Sequence, residues 1–247
     1  MYSNNERLIV FDADGTTIDA YPAIVDTFTR HGMELGDLER FQKRHKLFKY
    51  LGGIKEFPFN LSKQLGKQSR KNILSTLTEV YRDEAKLYPG MAALIRTLVA
   101  TPGIRVGLVT RNITNEPMLT IRKVFSRHDI DLNAFDFAVH VPLGEEKTSA
   151  LISARKTFNI NPARSYACGD EHTDFRFAIA AVMHPFIGSY GFEDYTRLTK
   201  KFKVPEDVIS RTPRDLSIRL LHALDIEHVA RRWQAGSALV TSACNDS

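Results

Sequence analysis

The chain is poor in the residues that mark secreted, metal-stapled or membrane-embedded proteins. It has two cysteines in 247 residues, Cys168 and Cys244. Two is too few for a disulfide framework, and their separation fits no metal-binding knuckle. Cys168 lies among apolar neighbours, so it is expected to be a buried free thiol in a reducing, cytoplasmic setting. No apolar run approaches the roughly 18 residues of a membrane-spanning helix. Residues 1–7 are polar and lack the apolar centre of a signal peptide. Internal repeats are absent. So are basic stretches interleaved with aromatics, which argues against single-stranded nucleic acid as a partner. The formal net charge of +5 then points to an anionic small molecule or an ordinary solvated surface rather than to a nucleic-acid interface.

What the chain does have is an α/β pattern. With 43% hydrophobic residues it is long enough to bury one α/β domain, or a core with a smaller insert. The pattern is organised around Leu8-Ile9-Val10-Phe11-Asp12-Ala13-Asp14-Gly15-Thr16-Thr17. Four consecutive apolar residues predict a central strand of a parallel sheet, buried on both faces. Two carboxylates follow, one small residue apart, where open α/β sheets bind their ligands. Like charges so placed repel, and a cation relieves the repulsion. A capped turn is the plainer reading of the same residues.

Downstream, helices are predicted from 19 or 20 to 32 (Pro22 in the first turn), over 38–51 and over 62–86. The dipeptide Gly52-Gly53 is a natural stop, 57–60 a turn, and no strand pattern falls between Asp19 and Leu87. From Met91 strands alternate with helices: strands over 104–109, 135–141, 165–168 and 184–188, and helices over 91–99, 116–125, 147–158, 173–182 and 213–224. Thr212 is the N-cap of the last helix. Such alternation implies βαβ units and a parallel sheet.

The segment Asp12-Ala13-Asp14-Gly15-Thr16 resembles the first motif of the haloacid dehalogenase superfamily in its phosphatase form, D-x-D-G-T. Three further motifs of that superfamily have matches in the right order, each at a predicted strand end. Leu108-Val109-Thr110 resembles the second, Lys147 the third, and Gly169-Asp170-Glu171-His172-Thr173-Asp174 the acidic fourth. The resemblance implies a Rossmann-like core (1–18 and 88–230) with an inserted α-helical cap (19–87) and a loose tail (231–247). It implies Mg2+-dependent hydrolysis of a phosphorylated small molecule, in the manner of phosphoglycolate phosphatases. Asp12 would be the nucleophile and Asp14 the general acid and base. Asp12, Asp14 (through its carbonyl), Asp170 and Asp174 would hold the metal, with Glu171 a weaker candidate. Gly15, Thr16, Thr110, Arg111, Asn112 and Lys147 would surround the phosphoryl group.

Each assignment has a plainer counterpart. Lys147 alone reads as a surface lysine opening a helix. The proline that often follows the family's lysine is replaced here by Thr148, which leaves Lys156 as a distant second choice. Asp170 and Asp174 can cap the helix behind them, and His172 reads as a loop residue because magnesium favours oxygen ligands. Arg111 faces either substrate or solvent. The basic run of Arg40, Lys43, Arg44, His45, Lys46 and Lys49 reads chiefly as a solvated helix face. Aspartate at position 14 argues against the dehalogenase and ATPase branches. A phosphomutase of the β-phosphoglucomutase type shares the motifs, and a non-catalytic phospholigand-binding protein is the alternative outside enzymology.

Overall fold

The computed structural model of the chain describes residues 2, 5–33 and 70–226. The helix expected over 38–51, the turn at 57–60, the basic run at 40–49 and the tail from 231 lie outside the described residues.

The described residues form the expected α/β architecture. Six parallel strands make one sheet: β1 (Arg7–Phe11), β4 (Ile104–Thr110), β5 (Phe137–His140), β6 (Ser165–Gly169), β7 (His184–Gly188) and β8 (Ile209–Ser210). Their spatial order is β5-β4-β1-β6-β7-β8, so β1 is central and the chain reverses its direction of progress across it. That reversal opens a crevice at the carboxyl ends of β1, β4 and β6. Phe11 pairs with Leu108 on one side and Cys168 on the other, which places the residues after each strand around one point.

The alternation within β1 shows why its four apolar residues are needed. Ile9 and Phe11 enter a core with Leu94, Ile95 and Leu98 of α3 (Met91–Val99) and Ile121, Val124 and Phe125 of α4 (Pro117–Ser126). Leu216, Leu220 and Leu221 of α7 (Pro213–Ala223) complete that layer. Leu8 and Val10 face the opposite layer, with Leu151 and Ala154 of α5 (Thr148–Thr157) and Phe177 and Ala178 of α6 (His172–Ala180). Successive side chains of a strand point to opposite faces, so a strand covered by helices on both sides must be apolar throughout. Thr212 caps α7 by accepting the Asp215 N–H at 3.1 Å.

Between β1 and α3 the structure departs from the predicted pattern. Helix α1 (Tyr21–Arg30) carries Pro22 in its first turn as expected, and α2 (Arg70–Glu84) is the described part of the long helix. The chain leaves the core through β2 (Ile18–Asp19) and returns through β3 (Lys86–Leu87). These pair antiparallel, Ile18 with Leu87 and Asp19 with Lys86, and they end α2 at Glu84 rather than at Lys86. Two-residue strands have no periodicity to read, so neither was foreseen; the same holds for β8.

Helix α2 packs on α1 and on α4. Thr78 accepts the Asn115 N–H at 2.8 Å, and Arg82 Nε donates to Thr120 Oγ1 at 2.9 Å. No helix among the described residues is long and apolar enough to cross a membrane. Cys168 is buried in β6 with a free thiol, and burial pushes that thiol well above its usual range.

Candidate active site

The first feature built at the crevice is the turn after β1. Gly15 has φ of +80°, and a Cβ there would stand 2.2 Å from Asp170 Oδ2, so both backbone shape and space demand glycine. Ala13 O accepts the N–H groups of Thr17 and Ile18 at 2.9 and 2.8 Å. The Thr17 hydroxyl donates to Asp12 O at 3.1 Å, so the turn that displays the two acids is itself tightly bonded.

Lys147 stands at the centre. It precedes α5, is 4% exposed, and donates from Nζ to Asp12 Oδ2 at 2.7 Å and to Asp174 Oδ1 at 2.8 Å. Burial works against its charge, but Asp12 and Asp174 outweigh it and raise its pKa. Lys156 is exposed in the last turn of α5, so it cannot take this place.

Asp170 is fully buried. Its Oδ1 accepts the Thr16 hydroxyl at 3.0 Å and its Oδ2 the Phe192 N–H at 2.7 Å. Asp174, in the first turn of α6, accepts the Glu171 N–H through Oδ2 at 3.2 Å. The helix therefore begins at His172, and Glu171 and Asp174, not Asp170, supply its capping carboxylates.

Asp12, Asp170 and Asp174 bring one carboxylate oxygen each within 4.8 Å of one another. Three acids facing one lysine leave the cluster with excess negative charge. Burial, with Asp174 adding and Lys147 opposing, pushes Asp12 up to about 7. Burial and the neighbouring acids push Asp170 well above the carboxylate range. An all-oxygen, electron-rich donor set of this kind fits a hard divalent cation.

The other expected residues are placed as follows. Thr110 ends β4, is fully buried and accepts the Asn112 N–H through Oγ1 at 3.1 Å. Asn112 was expected at the phosphoryl group. Its side-chain amide is instead turned to Asp14, at 3.1 Å from both carboxylate oxygens, because Thr114 N–H and hydroxyl take its carbonyl. Thr16 likewise serves Asp170 with its hydroxyl. Arg111 lies 3.4 Å from Glu171 Oε2, with its guanidinium 5.4 Å from the Phe177 ring centroid. It lines a cavity of about 90 Å3 together with Asp12, Asp14, Ile113, Leu143, Glu171 and Phe192. His172 stays outside the acidic cluster, with Nδ1 2.9 Å from Glu193 Oε1 and its ring stacked on Phe202. A larger cavity of about 680 Å3 opens beside the β2–β3 ribbon, lined by residues such as Pro22, Lys86 and His128 but by none of these acids.

A family model of haloacid dehalogenase-like hydrolases matches residues 6–181, most of the chain and all four strand-end clusters. The chain belongs to the haloacid dehalogenase-like hydrolases. Solved structures of this fold agree. A Thermotoga maritima protein provisionally described as a β-phosphoglucomutase aligns with TM-score 0.61 at 17% identity, over 87% of this chain and 99% of its own. A Lactobacillus delbrueckii protein provisionally described as a phosphoglycolate phosphatase aligns with TM-score 0.56 at 18% identity, over 86% and 97%. A hydrolase from Pseudomonas syringae aligns with TM-score 0.58 at 16% identity, over 86% and 96%. No curated protein matches the chain by sequence.

Two parts of this haloacid dehalogenase-like site were not legible beforehand. Tyr81 of α2 donates its hydroxyl to Asp14 Oδ1. Gly191 passes so close that a Cβ would stand 2.3 Å from Gly15 O and 2.4 Å from Asp170 Oδ2. Tyr81 reads in sequence as one more apolar position of a helix face. The spacing Gly188-Ser189-Tyr190-Gly191 was the available hint for the second.

Proposed function

We propose that this hydrolase is a magnesium-dependent phosphatase of a small-molecule phosphomonoester, working through an aspartyl-phosphate on Asp12. The observation that carries the reading is the buried Lys147 ammonium held between Asp12 and Asp174, beside Asp170, at the mouth of the central strands. A surface lysine has no reason to be so buried. A lysine that neutralises a transferred phosphoryl group does.

Asp12 and Asp170, with the Asp14 carbonyl and Asp174 directly or through water, would hold the magnesium. Bound there, the ion neutralises charge between carboxylate and phosphoester and so permits their approach. Asp12 then attacks phosphorus. The new bond joins its carboxylate oxygen to phosphorus, the ester P–O bond breaks, and a proton passes from Asp14 to the departing oxygen. In the second half, Asp14 takes a proton from water as the water oxygen attacks phosphorus and Asp12 is released. Burial raises the Asp14 pKa, while hydrogen bonds from Tyr81 and Asn112 oppose that rise; the balance suits a group that must give a proton and then take one.

Thr110 and Lys147 would face the phosphoryl oxygens, as would the backbone at Gly15 and Thr16. Thr110 accepts from Asn112 N–H, which leaves its own O–H for a ligand. Arg111 stands at the cavity wall where an anionic leaving group would pass. In this reading residues 19–87 form the cap over the core, and the free buried Cys168 suits a cytoplasmic setting.

The test is hydrolysis of p-nitrophenyl phosphate by wild type and Asp12→Asn, each with magnesium and with EDTA. Phosphate release that requires both the carboxylate and the ion supports the reading. Turnover that survives Asp12→Asn removes it.

A further inference from the structure

Asp14 is held by side chains from two different segments, neither of them its own. Asn112, from the segment after β4, gives its amide to both carboxylate oxygens at 3.1 Å. Tyr81, from α2, gives its hydroxyl to Oδ1. A phenol keeps its proton at neutral pH, so the Tyr81 hydroxyl is the donor of this bond. The Asn112 amide has a defined sense, because Thr114 N–H at 3.0 Å and the Thr114 hydroxyl both require an acceptor at its Oδ1.

The two donors are also tied to each other. One turn before Tyr81, Thr78 accepts from Asn115 N–H at 2.8 Å. One residue after it, Arg82 donates to Thr120 Oγ1 at 2.9 Å and to Asn115 O at 3.0 Å. Helix α2 therefore docks on the same 112–120 segment that carries Asn112.

The consequence is a difference between the two oxygens of Asp14. Oδ1 accepts from both Tyr81 and Asn112, whereas Oδ2 accepts from Asn112 alone among the described residues. A carboxylic acid that donates to a leaving group is best placed when its donating oxygen is the more lightly held of the two. Asp14 also lines the 90 Å3 cavity together with Asp12, so its carboxyl group borders the space that a substrate would occupy.

We propose that Tyr81 is a positioning residue that anchors Asp14 Oδ1, so that Oδ2 presents the proton to the leaving-group oxygen. The proposal rests on the phosphatase reading above and adds a residue from outside its four motifs. In the step concerned, the Asp12–phosphorus bond forms, the ester P–O bond breaks, and the Asp14 Oδ2 proton moves to the departing oxygen. Tyr81 keeps its own proton throughout.

The test compares Tyr81→Phe with wild type on two esters of similar shape, phenyl phosphate and p-nitrophenyl phosphate. Phenolate needs a proton as it leaves and p-nitrophenolate does not. The readout is kcat/KM, which reports the step that breaks the ester bond. Tyr81→Phe is expected to lower kcat/KM on phenyl phosphate about tenfold or more, and on p-nitrophenyl phosphate less than about threefold. Asp14→Asn is expected to show the same contrast more strongly. The ring of Tyr81 is 2% exposed and stays in place in the variant, and an unchanged melting temperature confirms that the core is intact.

Equal losses on both esters, or no loss, would overturn the proposal. A crystal structure of Tyr81→Phe provides a readout that needs no turnover. Rotation of the Asp14 carboxyl out of its Asn112 bonds supports positioning, and an unmoved carboxyl overturns it. If wild type hydrolyses neither ester, or Asp12→Asn matches it, the phosphatase reading fails first, and the crystallographic arm still decides whether Tyr81 orients Asp14.

Discussion

Lys147 holds its charge almost out of reach of water because two carboxylates face it at 2.7 and 2.8 Å. A lone buried ammonium would shed its proton, whereas a paired one keeps it. Its position sets the strength of its expected effect. Lys147→Met should lower p-nitrophenyl phosphate turnover by roughly a hundredfold to a thousandfold, the range for losing one group that meets transition-state charge. Steady-state kinetics, with circular dichroism as a check on folding, would measure it; a loss under about threefold would take Lys147 out of the reaction. Sequence alone left this residue weakly placed, since a lysine at the head of a helix is common and the customary proline is absent at Thr148. Burial separates it from Lys156, and burial is a tertiary property. Asp12, Asp14 and Asp170 were legible because each directly follows, or nearly follows, a run of apolar residues that could only be a buried strand. Tyr81 was not legible. Its ring continues the stripe of Ile73, Leu77 and Val80 in the core, and nothing in that spacing says that the hydroxyl at its end meets an acid.

At the scale of elements, strands with a full apolar run and helices with a buried face were readable within a few residues, including α7 with its Thr212 cap. The short pairs β2–β3 and β8 were not, because two residues cannot display a period of two. The loop after β7 was equally opaque, although the site depends on it. Phe192 N–H closes on Asp170, Tyr190 donates to Thr16 O at 3.0 Å, and Gly191 lies against Gly15 and Asp170. A methyl group at Gly191 would meet a backbone carbonyl at 2.3 Å, and backbone cannot swing aside as a long side chain can. Gly191→Ala should therefore destabilise the fold by about 1–3 kcal/mol, the usual cost of overpacking. It should also lower turnover at least about tenfold by displacing Asp170. Denaturant unfolding and kinetics on the same preparation test both halves, and a variant that folds and turns over normally would show that this loop is not part of the site.

For the whole molecule, the distribution of charge matters more than its sum. The chain carries a net +5, yet its crevice gathers Asp12, Asp14, Asp170 and Asp174 around a single buried lysine. The net positive charge would favour the approach of an anion, while the acidic cluster favours a cation. The interior imbalance links stability to pH. Asp12 titrates at about 3.8 when unperturbed and is pushed up to about 7 by burial in the folded chain; Asp170 and Asp14 are shifted in the same direction. Between those two values the folded chain retains a proton that the unfolded chain has lost. The free energy of unfolding therefore falls as pH rises across that window: the contribution is whole below the unfolded pKa and gone above the folded one. A divalent ion bound to the ionised carboxylates stabilises only the folded state, and it competes with those same protons. In EDTA the melting temperature should drop between about pH 4 and pH 7. Millimolar magnesium should restore several degrees at about pH 8 and under about one degree at about pH 5, given roughly 2–4 °C per kcal/mol for a chain of this size. Asp170→Asn should blunt both effects, because it removes one of the three clustered carboxylates. Differential scanning calorimetry across pH, with and without the ion, makes the measurement. A magnesium shift that ignores pH, or that Asp170→Asn leaves intact, would place the ion somewhere other than between β1 and β6.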